Sequence, residues 1–214
     1  MGHIDKLRRI TSTKGALKLG EALFQYEVDK RGDNPQRRDY GNVIMFSRDA
    51  LKKKYGHEIM AFSGDALYVT EFLINLFAGP KELSIDELAH MACDGWYRNG
   101  FRDSINSTNI KWFSELEKNV GISSEKVNIE EFSQSLATSK EFEAYVVLAA
   151  DKDYYNEEKL DDYHYVVFLG VNLITGLATV YNPFVGVEEV PYDALFDSAM
   201  MIWKITDSKF DEEM

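Results

Sequence analysis

The chain has 214 residues, 45% of them hydrophobic and 13% aromatic. That supplies a large core and excludes a chain disordered throughout. The net charge is -12, although residues 1–60 are net basic, so the remainder is strongly acidic. An acidic body repels phosphates and argues against nucleic acid as a partner. No apolar run reaches the length of a membrane span, and no apolar segment of signal-peptide type follows Met1. The single cysteine, Cys93, excludes an internal disulfide. It fits a reducing compartment, so we expect a cytoplasmic protein without a membrane partner.

In chain order, the first expected element is a helix within residues 1–30, where Leu17, Leu23 and Phe24 recur at roughly helical spacing between Lys and Glu. Residues 14–28 should pack that apolar face on the acidic body. The polar run from Lys30 to Asp39, with Gly32 and Pro35, reads as a loop. A second helix is expected from Ser63 or Asp65 to Phe77. It is apolar on most faces and therefore central, and Gly79-Pro80 ends it. Ser84 and Glu87 form a capping box for a third helix carrying Leu88, Met91 and Ala92. A fourth is expected to start at Thr108 or Asn109 and run through Phe113 and Leu116 to Gly121.

The last third changes character. Residues 144–149, 165–169 and 178–181 are runs of buried-strand type, with a turn at Thr175-Gly176. Glu188–Val190 and Met200–Ile205 add further strands. Helices followed by an antiparallel sheet define an α+β layout.

Three positions carry chemistry on this layout. Ser63 stands at the head of the buried helix, where backbone N–H groups and the helix dipole favour negative charge. His164 stands at the start of one strand and Asn182 at the end of the next, so antiparallel pairing across residues 173–176 brings them side by side. A base beside an amide that fixes its tautomer is the second half of a nucleophile–base–orienter triad. Taken singly, each has a plainer reading: Ser63 as a helix N-cap, His164 as a hydrogen-bonded strand end, Asn182-Pro183 as a turn. Cys93 lies in a helical pattern and reads as a core thiol. His3 and His90 have no companions at ligand spacing, so no metal site is expected, and no glycine-rich loop offers a cofactor site.

Ser63-Gly64-Asp65-Ala66, Ser84-Ile-Asp-Glu-Leu88, His164-Tyr-Val-Val167 and Tyr181-Asn182-Pro183 occur in an order that resembles the C39-like peptidases, cysteine proteases of papain-like fold, whose first motif is Cys-Gly-Pro-Ala. The likeness spans about residues 55–205, with Val190–Leu195 similar to the family's closing helix. It implies a papain-like α+β domain over residues 55–208, a basic helical extension at 1–54 and an acidic tail at 209–214. It also implies Ser63, His164 and Asn182 as the catalytic positions, with Ser63 where the family has cysteine. His57 stands about where the family has an oxyanion-donating glutamine. The implied function is a cysteine-peptidase-type hydrolase of peptide or amide bonds, its nucleophile present as serine by engineering or by natural loss. The alternative is an inactive papain-fold module that binds a peptide or protein.

Overall fold

The computed structural model describes residues 12–31, 65–77, 85, 88, 102–104, 107–108, 122–138, 143–150 and 163–207. Helix α1 spans Thr13–Arg31 and helix α2 spans Asp65–Phe77. Strands β1 (Arg102–Ser104) and β2 (Ser107–Thr108) pair as a small antiparallel ribbon. Thr108 is therefore in a strand and does not open a helix, one of the two starts expected from the sequence. Next come β3 (Ile122–Val127), α3 (Ile129–Thr138), β4 (Ala144–Ala150) and β5 (Tyr163–Asn172). The chain continues through β6 (Leu177–Asn182), β7 (Gly186–Pro191), α4 (Tyr192–Asp197) and β8 (Ala199–Asp207). Ile85 and Leu88 are helical and fully buried, in agreement with the capping-box helix. The rest of that helix and residues 109–121 lie outside the described residues.

Strands β3 to β8 form one antiparallel sheet in the order β3-β8-β4-β5-β6-β7. The protein is thus α+β, with its long helices first and its sheet mainly after them. Alternation along the strands splits the core in two. Val146, Leu148, Tyr165, Val167 and Leu169 join α2, Ile85 and Leu88 on one face. Tyr145, Val147, Val166 and Phe168 join Phe132 of α3 and Leu195 and Phe196 of α4 on the other. Because both faces are covered, β4 and β5 read as continuous apolar runs and not as alternating ones.

Every residue of α2 is buried. Its polar side chains are accommodated by bonds back to the preceding turn, Thr70 Oγ1 to the Ala66 carbonyl at 2.7 Å and Asn75 Nδ2 to the Glu71 carbonyl at 2.8 Å. Helix α1 begins with Ser12, whose Oγ accepts from the Gly15 N–H at 3.2 Å. As expected for residues 14–28, α1 packs on the body: Ala16 is fully buried, and Leu17, Leu19, Leu23 and Phe24 lie against the same core as α2. The approach is close at Gly20, where a Cβ would stand 2.8 Å from Val187 Cγ2 and 3.1 Å from the Tyr181 ring. Glycine is what lets the helix sit there.

Tyr181 stacks on Phe72 of α2, with ring centroids 4.5 Å apart and planes 13° from parallel. Burial pushes the Tyr181 hydroxyl well above the usual tyrosine value, and the carboxylates of Glu71 and Glu27 push it the same way. Below about pH 10 the phenol is neutral in both folded and unfolded chains and its full contribution is present. As pH rises past that value the unfolded chain ionises first, and stability is lost up to the raised folded-state value. Alkaline melting curves should therefore fall less steeply above about pH 10 for Tyr181→Phe than for the parent chain. Identical alkaline limbs would contradict this.

Candidate functional site

The hairpin β5–β6 places the central ring. Its turn is fixed by Asn172, whose Oδ1 accepts from the Ile174 N–H at 3.0 Å and whose carbonyl accepts from Gly176 at 2.8 Å. Antiparallel pairing from Asn172↔Leu177 to Val167↔Tyr181 carries the two strands to the other end of the hairpin. There His164 Nε2 lies 3.0 Å from Asn182 Oδ1. Both residues are buried, His164 at 3% exposure and Asn182 at 0%. The adjacency expected from the sequence is present.

The amide's orientation is set by its other partners. Asn182 Oδ1 also accepts from the Phe184 N–H at 2.9 Å, and Nδ2 donates to Glu188 Oε1 at 2.5 Å. An oxygen on the ring side leaves one role for Nε2, which donates its proton to Asn182. Phe184 covers the ring, stacked at 4.5 Å and 19°. Gly186, with φ +88°, lets the chain turn from Phe184 into β7, and a side chain there would meet the Phe24 ring at 3.0 Å.

The other ring nitrogen faces a residue that the sequence marks only as a helix start. Asp65, in the first turn of α2, has Oδ2 3.3 Å from His164 Nδ1. The same oxygen accepts from the Tyr165 backbone N–H at 2.8 Å. Asp65 is 3% exposed, and the N-terminus of α2 favours its negative charge. The described site is thus a chain, Asp65–His164–Asn182–Glu188, buried as far as Asn182 and half-buried at Glu188, joining α2, β5, β6 and β7. It holds an imidazole in one orientation, with its Nε2 proton committed to an amide.

Ser63 and His57 lie outside the described residues, as does Cys93. Among the described residues, no group of three or more His, Cys, Asp or Glu converges as a metal site. No described helix is long and apolar enough to cross a membrane. Sequence reasoning missed Asp65, Phe184 and Glu188. Phe184 and Glu188 carried no local signal. Asp65 offered one: an acid two residues beyond the suspected nucleophile, at the mouth of a helix apolar on most faces.

No family model matches the chain, and no curated protein matches it.

Proposed function

We propose that the chain is a papain-like, C39-like peptidase-type domain that engages a peptide or protein segment in the cytoplasm. In the form carrying Ser63 it holds that segment without cleaving it. The carrying observation is the buried 3.0 Å contact of His164 Nε2 with Asn182 Oδ1, a base fixed by an amide on the adjacent strand. A second feature supports it. Asp65 of α2 touches the ring. The nitrogen that a papain-type nucleophile would use is the one that faces Asp65. A serine hydroxyl needs far stronger base assistance than a thiol, whereas papain-type chemistry depends on a thiolate beside an imidazolium. The preserved base–amide pair favours, as the second reading, a cysteine peptidase whose nucleophile has been replaced at position 63. His57 would then stand on the oxyanion side.

One experiment tests the reading. Ser63→Cys should give a thiol that iodoacetamide alkylates near neutral pH at least about tenfold faster than Cys93, because the helix N-terminus and His164 both favour a thiolate. His164→Ala in that background should remove the advantage. Equal, slow alkylation of the introduced thiol and of Cys93 would contradict a peptidase-type site. Peptide-bond cleavage by the unaltered Ser63 protein would contradict binding without turnover.

A further inference from the structure

We propose that helix α1 belongs to the candidate site: Phe24 is a positioning residue that, through the turn Asn182–Gly186, holds Phe184 on the His164 ring. The contacts stand on geometry alone; what they mean for binding or chemistry rests on the peptidase-type reading. Gly20 and Phe24 lie four residues apart in α1 and so share one helix face. A Cβ at Gly20 would stand 2.8 Å from Val187 Cγ2 and 3.1 Å from the Tyr181 ring, and a Cβ at Gly186 would stand 3.0 Å from the Phe24 ring. Tyr181↔Val187 and Asn182↔Gly186 are the pairs that end the β6–β7 ladder at the turn. Helix α1 is thus seated on the part of the ladder from which the turn springs.

That turn carries the ring's cover. Phe184 stacks on His164 at 4.5 Å and 19°, and Asn182 meets the same ring at 3.0 Å. The first half of the turn is held from within: Asn182 Oδ1 accepts from the Phe184 N–H at 2.9 Å, the Asn182 carbonyl accepts from the Val185 N–H at 3.2 Å, and Pro183 has a fixed φ. The second half ends in Gly186 at φ +88°, where the backbone has the least restriction of its own. The Phe24 ring bears on that residue from outside. A shorter side chain at position 24 leaves a gap beside buried Gly186, and the lining of a gap relaxes toward it. Val185, 50% exposed, leaves the turn room to move. Such a shift carries Phe184 off the imidazole. A helix that only filled the core would stabilise the fold and leave the cover in place.

The test uses the full chain. Ring currents shift protons held over an aromatic face upfield, so the carbon-bound ring protons of His164 report where Phe184 lies. The chain has four histidines, so His164→Gln assigns the relevant signals, and Phe184→Leu gives their position without the covering ring. The shifts are compared at the plateau of each titration, so that ionisation does not enter. Phe24→Ala should move them downfield, toward the Phe184→Leu position. Phe24→Leu keeps carbons where the Phe24 Cβ, Cγ and Cδ1 approach Gly186, and should retain the parent shifts. Leu17→Ala, against the same core but about two helical turns earlier in α1, should lower stability without moving the signals. If Phe24→Ala does not fold, Phe24→Val carries the same comparison with a smaller displacement. Signals that stay in place in the Phe24 variant, or move equally in Leu17→Ala, overturn the positioning role. So does the lack, in the parent chain, of a nuclear Overhauser contact between the Phe24 ring protons and Gly186 Hα. The peptidase-type reading fails separately. If Ser63→Cys is no more reactive than Cys93, that reading falls, and the His164 spectra still decide what α1 does. If Ser63→Cys is activated while Phe24→Ala leaves the His164 signals in place, the reading stands and the positioning role falls.

Discussion

Phe72→Ala is expected to destabilise the protein by about 4 kcal/mol, near the upper end of what a single core truncation costs. For a chain of this length the melting temperature should fall by roughly 8–16 °C. Phe72 is fully buried and stacks on Tyr181, so truncation removes both its burial and the ring pair. The stack also sets how α2 sits against β6. Asp65 lies at one end of that helix and Asn182 follows Tyr181, so the variant should loosen the Asp65–His164 contact as well. Ile174→Ala is the matched control. Ile174 is 98% exposed at the hairpin tip, and its loss should change stability by less than about 0.5 kcal/mol. Equal losses from the two variants would show that the core is not organised around α2.

The second large effect is expected at Asn182. Asn182→Leu deletes an acceptor for the His164 ring and for the Phe184 N–H, and a donor to Glu188, in a site that is fully buried. Leaving buried polar groups without a partner costs about 1–3 kcal/mol each. With partial relaxation the total should be about 3 kcal/mol, or roughly 6–12 °C in melting temperature. Asn182→Asp is the informative companion. It keeps the acceptor but sets a carboxylate against Glu188, so it should lose stability as pH rises through the carboxylate range, while Asn182→Leu should lose it at every pH. If Leu is tolerated without loss, the amide does not organise the site.

Much of this was legible in the sequence, for identifiable reasons. Strands β4 and β5 are buried on both faces, so their apolar residues run unbroken and stand out against the acidic chain around them. The hairpin turn at Thr175-Gly176 was readable from turn chemistry, and antiparallel pairing then required His164 and Asn182 to meet. Helix α2 announced itself by a helical pattern apolar on most faces. What escaped notice depends on tertiary context. Ile122–Val127 shows no apolar period and lies at the sheet edge; it is a strand because it pairs with β8, not because of its own composition. Helix α3 did carry a cap: Asn128 Oδ1 accepts from the Glu131 N–H at 2.8 Å, and Glu131 returns to the Asn128 N–H at 3.1 Å. The same reasoning that found Ser84 and Glu87 could have found it.

In the site, the base and its amide were visible because strand pairing is a strong constraint between sequence neighbours. Asp65 and the His164–Tyr165 strand start are about a hundred residues apart, and their contact depends on where α2 docks. No local pattern encodes that docking. In the sequence Glu188 reads only as part of a short strand, although its carboxylate receives the Asn182 amide and so determines which atom His164 sees.

The most direct measurement is the distance from Ser63 Oγ to the His164 ring in a crystal structure of the full chain. A papain-type site requires residue 63 on the Asp65 side of the ring, with Oγ about 3–4 Å from Nδ1, allowing for the looseness of an unliganded site. Ser63 on the far side of the sheet, or separated from His164 by the body of α2, would contradict the peptidase-type site and leave the Asp65–His164–Asn182–Glu188 chain as a structural network alone.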